Sequence, residues 1–224
     1  LIAKNIPDDL LSFKKNIILF EPIEDVLTSF TSQIIRLLYP CILNYKNGIL
    51  ITDIDMIPLS NTYFTQNILN FDKNKFIYYR GDVCFDEKQI AMCYNVATPE
   101  IWKDIFKINS IDDIKLFIKD INSKNTIQEE AGKTGLFLDQ LTLYNKVLEW
   151  NNITNNFIRL NEEKTGFKRL NIYRFLNYYS NNLKIINSEI FQNCITEQLF
   201  TDYHCLRPMK KYSKINWYIY NILK

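Results

Sequence analysis

The feature that most constrains the fold is "GILITDIDMIPLS", Gly48 to Ser60, in which an apolar run ends in two aspartates one residue apart. The uncharged residues Ile49 to Ile51 predict a strand that is buried on both faces, as in the centre of a parallel sheet. Since side chains two apart on a strand share a side, Asp53 and Asp55 are expected to point the same way. Open α/β sheets bind ligands at the carboxyl ends of their strands. The sequence therefore predicts a site at the end of this strand.

Strands and helices alternate around this run. The stretch "NIILF" (16–20) predicts a first strand, and the helical spacing of "EDVLTSFTSQIIRLLYP" (24–40) predicts a helix that Pro40 ends. Together with the strand before Asp53, they predict a βαβ unit with a right-handed crossover. This order is typical of an α/β fold.

The downstream sequence continues the alternation. Strands are predicted at "KFIYYRG" (75–81) and "QIAMCYNVA" (89–97), and helices at "SIDDIKLFIKDINS" (110–123) and "GLFLDQLTLYNKVLEW" (135–150). A further helix is expected to begin at "TPEIWKDIF", with Thr98 as N-cap and Pro99 at its first position. Trp102, Trp150 and Trp217 could stack on sugar rings, but at these spacings the core is favoured, and they are left out of the site. No linker or repeat is visible, so residues 1–224 are predicted to form a single domain.

Charge and cysteine content exclude several classes of partner. With 27 basic and 25 acidic residues, no overall field attracts nucleic acid. No apolar run approaches the roughly 20 residues that span a bilayer. The cysteines form no C-x-x-C pair and are odd in number, which favours free thiols in a reducing compartment. They are Cys41, Cys84, Cys93, Cys194 and Cys205. The sequence predicts a cytoplasmic protein without a nucleic-acid partner or a membrane span.

Two neighbouring carboxylates at the end of a strand repel each other. Near a core of low dielectric one of them would take up a proton, whereas a divalent cation would keep both ionised. Mg²⁺ or Mn²⁺ suits such oxygen ligands. The alternative is structural: one of Asp53 and Asp55 begins a turn and the other caps a helix.

The segment "TSQIIRLLYPCILNYKNGILITDIDMIPLSNTYF" (31–64) resembles the part of metal-dependent GT-A glycosyltransferases in which an Arg-bearing helix leads into the strand with the D-x-D motif. The segments "MCYNVATPEIWKDIF", "GLFLDQLTLYNKV" and "DYHCLRPMKKY" follow in the order expected of glycosyltransferase domains from large DNA viruses and some bacteria. The resemblance implies a GT-A-like, Rossmann-like fold with a mostly parallel central sheet flanked by helices.

The resemblance also implies a metal site that holds Mn²⁺ or Mg²⁺. Asp53 would lie near the metal and the donor ribose, and Asp55 would be the firmer metal ligand. The chain's one histidine, His204, would complete the site, with Asp202 as an acceptor for its other ring nitrogen. The alternative for a lone histidine is a satisfied or surface side chain.

A donor-binding set follows from the same resemblance. It consists of Arg36, Asp53, Ile54, Gln140, Arg207 and Lys210. The basic residues near the C-terminus, with Lys211, would close over the phosphates, although an ordinary solvated basic segment is the alternative. Arg36 could instead snorkel over apolar surface or pair with a carboxylate.

Asp139 is the implied catalytic residue. As a carboxylate facing the acceptor hydroxyl, it could remove the proton while the sugar is transferred, and inversion is preferred over retention. A role in acceptor binding alone is compatible with the same position. The structural alternative is a carboxylate that favours the first turn of a helix.

The implied function is transfer of a sugar from a nucleotide-diphosphate donor, a UDP-sugar, to a hydroxyl of a glycan acceptor, in the host cytoplasm if the protein is viral. The alternatives are a non-catalytic glycan- or protein-binding module and a nucleotidyltransferase, for which the glycines form no phosphate-binding loop.

Two features depart from the family. Apart from "LIA", no strand–helix unit precedes "NIILF", so either the chain is part of a longer multidomain protein or the base is held differently. Phe137 and Leu138 precede Asp139 where relatives often have an aromatic residue, so the acceptor pocket is expected to differ.

Overall fold

The computed structural model describes residues 1–125, 135, 137–172, 189 and 200–223, and within them the fold is mixed α/β with two small sheets. The helices are α1 Thr28–Leu38, α2 Asn61–Gln66, α3 Pro99–Phe106, α4 Ile111–Lys124, α5 Leu138–Thr154, α6 Glu162–Thr165 and α7 Ser213–Leu223. The strands are β1 Ile49–Ile51, β2 Met56–Pro58, β3 Phe76–Tyr78, β4 Asn95–Ala97, β5 Phe157–Arg159, β6 Arg169–Asn171 and β7 Asp202–His204.

The two sheets are mostly antiparallel. The first has the order β1-β4-β3-β5, in which only β3 and β5 are parallel, and the second has the order β2-β7-β6, in which only β7 and β6 are parallel. The predicted mostly parallel sheet is therefore wrong. So is the central position of β1, which lies at an edge and pairs Ile49 with Ala97. The prediction failed because an uncharged apolar sequence does not distinguish a central strand from a short edge strand. In β1 only Ile51 is buried, and the two residues before it are half-buried.

The predicted βαβ unit is absent from the described residues. The stretch "NIILF" contributes a single bridge, in which Phe20 pairs in parallel with Ile2, and Asn16 belongs to the 3₁₀ helix Asp8–Asn16. Of "QIAMCYNVA" only Asn95–Ala97 is a strand. The prediction at "KFIYYRG" is confirmed by β3.

The four predicted helices are confirmed by α1, α3, α4 and α5, of which α3 and α4 have side-chain caps. Thr98 accepts a hydrogen bond from the N–H of Ile101, and Pro99 is the first residue of α3. Ser110 and Asp113 form a reciprocal capping box at α4. Helix α1 ends two residues before Pro40, which lies inside a following 3₁₀ turn, Tyr39–Ile42.

The main core lies between the first sheet and α1, α3, α4 and α5, and a smaller one lies between β7 and α7. Trp102 and Trp150 are buried as predicted, whereas Trp217 is 65% exposed, so its assignment to the core is wrong. Among described residues, Cys41, Cys84, Cys93 and Cys205 are free thiols, and Cys194 lies outside them. None of the described helices has the length and apolar character required to cross a membrane.

Candidate functional site

The two aspartates lie in the turn that connects β1 to β2. The N–H of Met56 donates to the carbonyl of Asp53 at 3.1 Å, which closes the turn. The chain then pairs with β7, so that Met56 lies opposite His204 and the N–H of Cys205 donates to the carbonyl of Asp55 at 2.8 Å. Because they belong to a turn and not to a strand, the two carboxylates contact different partners. The expectation that they share one side of a strand is wrong.

Asp55 lies against the C-terminal part of the described chain. Its Oδ2 is 3.4 Å from Nε2 of His204 and 3.1 Å from Nε of Arg207. Asp55 is buried, whereas the side chain of Arg207 is 63% exposed. His204 lowers the pKa of Asp55 most; burial opposes this effect, and Arg207 adds to it. The carboxylate is therefore held in its ionised form beside an imidazole.

Asp53 belongs to a second group, which Arg36 organises. The guanidinium of Arg36 forms ion pairs with both Asp53 and Asp139. Burial alone would lower the pKa of Arg36, but the attraction of Asp139 and of Asp53 raises it. Arg36 thus links the turn after β1 to the first turn of α5.

Asp139 is fully buried, and its carboxylate accepts hydrogen bonds from three groups among the described residues. Oδ2 accepts from Arg36, and Oδ1 accepts from Nε2 of Gln33 at 3.0 Å and from the backbone N–H of Gln140 at 2.9 Å. In this arrangement Asp139 orients Arg36. A role as the base that deprotonates an acceptor requires the ion pair with Arg36 to open.

The other predicted site residues are Ile54, Gln140, Lys210 and Asp202, and not all of them lie beside the Asp55 group or the Arg36 group. Ile54 lies between the aspartates and is 94% exposed. Gln140 is half-buried at the start of α5, next to Asp139. Lys210 is exposed, and no contact joins it to the aspartates within the described residues. Asp202 is not the predicted acceptor for His204: its carboxylate binds Arg169 and the hydroxyl of Tyr94.

Sequence reasoning missed Gln33 and Arg169. Gln33 precedes Arg36 by three residues on α1, so the helical period places both on one face and could have identified it. Arg169 meets Asp202 because β6 and β7 pair in parallel, with these two residues in register. No local pattern predicts that pairing.

Two of the three predicted metal ligands fit a divalent cation. Nε2 of His204 is buried and has no hydrogen-bond partner among the described residues. Its separation of 3.4 Å from Oδ2 of Asp55 suits two ligands of one ion, since metal bonds of about 2.1 Å place neighbouring ligands about 3 Å apart. Asp53 is held by Arg36, and in the described part of the chain no group of three His, Cys, Asp or Glu side chains is arranged to hold a metal. The fit is that of a cation that takes its other ligands from water and substrate oxygens.

Comparisons with protein families, curated proteins and solved structures found no match to this chain. The resemblance to GT-A glycosyltransferases therefore stays a prediction. The site must be interpreted from its own residues.

Proposed function

We propose that this protein is a metal-dependent glycosyltransferase that moves a sugar from a nucleoside-diphosphate donor, a UDP-sugar, to a hydroxyl of a glycan in the cytoplasm. One observation supports it most: chemically suited side chains from distant parts of the chain converge on the turn after β1. Asp55 meets His204, and Arg36 joins Asp53 to Asp139. Because the sheets are mostly antiparallel, the proposal depends on this site and not on the expected GT-A sheet.

The residues that would hold the donor are Asp55 in the turn, His204 in β7 and Arg207, which follows β7. Asp55 and His204 would hold Mn²⁺ or Mg²⁺, which when bound stabilises the charge that the leaving diphosphate gains. Arg207, beside Asp55 and largely exposed, suits a phosphate oxygen because a guanidinium donates two parallel hydrogen bonds. The donor would thus be fixed on the side of the turn that faces β7.

The Arg36 group lies on the other side of the same turn. The buried Asp139 holds the guanidinium of Arg36, and Arg36 in turn holds the carboxylate of Asp53. This rigid arrangement preorganises charge before substrate arrives, which is the usual source of electrostatic stabilisation in enzymes. We assign Arg36 and Asp53 to donor binding and Asp139 to the orientation of Arg36, with proton removal once that pair opens.

Release of nucleoside diphosphate tests the proposal. The wild-type protein is incubated with a panel of UDP-sugars, a glycan acceptor mixture and Mn²⁺, and Asp55→Asn and His204→Ala are compared with it. We expect each substitution to lower turnover about 100-fold or more, the usual cost of removing one group that stabilises transition-state charge. Asp112→Asn is the matched control, since Asp112 is an exposed residue of α4, and it should retain full turnover.

Four results would overturn the proposal. Turnover that is unchanged in EDTA or in Asp55→Asn would exclude a metal-assisted transferase. Glycan binding without turnover of any donor would favour a binding module. Release of pyrophosphate from a nucleoside triphosphate would favour a nucleotidyltransferase.

A further inference from the structure

A second cleft, of about 550 Å³, lies along β6 at the edge of the second sheet. Its lining includes three cations, one carboxylate and two aromatic rings. These are Arg80, Lys168, Arg169, Glu162, Phe167 and Phe200. None of them is assigned above to holding the metal or the donor, and the predominance of positive charge in the lining raises the question of what the cleft binds.

The two guanidiniums are fixed in place by the residues around them. Arg80 lies 4.3 Å from the ring centroid of Phe167 and forms an ion pair with Glu162. Arg169 lies 5.4 Å from the same ring and forms an ion pair with the buried Asp202. Nη2 of Arg80 and Nη1 of Arg169 have no hydrogen-bond partner among the described residues. Among the described residues, each guanidinium is thus held in place and keeps one nitrogen without a hydrogen-bond partner.

Lys168 adds a charge that no carboxylate balances in the described part of the chain. Its Nζ lies 5.6 Å from the ring of Phe200, and the side chain lines the cleft and is exposed. Glu162 and Asp202 balance the charges of the two arginines, so the ammonium of Lys168 is the excess. An anion is the ligand that these groups favour.

We propose that this cleft binds a phosphate or carboxylate group carried by a sugar chain, the acidic group of a glycan acceptor. Guanidiniums and an ammonium bind both anions through charge-assisted hydrogen bonds. The cleft also adjoins the first site, because its lining residue Asn171 pairs in register with His204 on the next strand. The assignment as acceptor rests on the proposed function, whereas the binding of the anion does not.

Calorimetry without donor or metal tests the cleft directly. The probes are inorganic phosphate, a tetrasaccharide that carries glucuronate, and a neutral chitin tetrasaccharide. We expect one or both anionic probes to bind, with an affinity that falls as salt is raised, and the neutral probe not to bind. Binding of inorganic phosphate would show that the cleft takes a phosphate group, and binding of the glucuronate probe would show that it takes a carboxylate carried by a sugar chain.

Two substitutions should change the affinity in opposite directions. Lys168→Gln should weaken binding about tenfold, because it removes one charge-assisted contact. Glu162→Gln should strengthen it, because the carboxylate no longer competes for Arg80. Because a variant that unfolds would bind more weakly, opposite changes in affinity in Lys168→Gln and Glu162→Gln cannot result from loss of the fold. Lys164→Gln, at an exposed lysine of α6 outside the cleft, is the matched control and should bind like the wild type.

The proposal is overturned if no anionic probe binds, if the neutral saccharide binds equally well, or if Lys168→Gln binds like the control. The Asp55→Asn variant separates this result from the proposed function. It should bind the anionic probe normally even though it loses turnover. If the wild type proves to have no transferase activity, binding of the probe still decides whether the cleft takes anions.

Discussion

Replacement of Arg36 by methionine should destabilise the protein strongly, because the partner it leaves behind is buried. The side chain of Asp139 is only 1% exposed, and Arg36 is its one charged partner among described residues. Removing one member of a buried ion pair typically costs about 3–5 kcal/mol. Gln33 and the N–H of Gln140 continue to donate to the carboxylate, so we expect a loss of about 3 kcal/mol, at the lower end of that range.

Urea unfolding at neutral pH measures this loss, and thermal unfolding gives an independent value. For a chain of this size, about 3 kcal/mol corresponds to a fall in Tm of roughly 6–12 °C. Lys124→Met is the matched control. Since Lys124 and its partner Asp120 are both mostly exposed, their ion pair should be worth less than about 1 kcal/mol.

A double substitution tests the mechanism itself. Asp139→Asn removes the buried charge, so Arg36→Met combined with Asp139→Asn should cost less than the sum of the two single changes. A loss below about 1 kcal/mol for Arg36→Met, or strict additivity, would refute the view that Asp139 depends on Arg36.

Three further outcomes are expected. Gly81→Ala should lower the free energy of unfolding by more than about 1 kcal/mol in urea titrations, because the new Cβ would lie 2.6 Å from the carbonyl oxygen of Leu160; an unchanged midpoint would contradict this contact. Ser110→Ala should cost about 1 kcal/mol, measured in the same way, since it breaks the capping box of α4; no change would show that the cap is dispensable. Asp55→Asn should destabilise the protein at pH 7, and the difference from wild type should be smaller at pH 3 than at pH 7. The lowered pKa of Asp55 gives stability that is present above the unfolded value of about 3.9 and is lost as the pH falls through the folded value, so an equal deficit at both pH values would contradict it.

Local signals account for the parts of the fold that could be predicted. Thr98 with Pro99 predicted the start of α3, because an N-cap is a contact between residues three apart. Helix α4 was predicted from its helical spacing, and its capping box of Ser110 and Asp113 is an equally local contact. Strand pairing carries no such signal. The run before Asp53 is apolar enough for a central strand, yet it forms a short antiparallel edge, because its partner β4 was not determined by any local pattern.

The candidate site shows the same division between local and long-range information. The D-x-D spacing of Asp53 and Asp55 is visible in the sequence, and the resemblance to GT-A enzymes identified His204 and Arg36. The ion pair between Arg36 and Asp139 joins residues 103 apart, and no spacing rule predicts it. The two aspartates diverge because a turn, which the apolar run does not reveal, replaces the end of the expected strand.

Calorimetric titration of UDP into the protein, with Mn²⁺ and again with EDTA, tests most directly whether Asp55 and His204 hold a metal-bound diphosphate. The account predicts binding that requires Mn²⁺ and that His204→Ala weakens about tenfold or more. Asp112→Asn should bind like the wild type. Binding of equal strength in EDTA, or binding that His204→Ala leaves unchanged, would contradict the account.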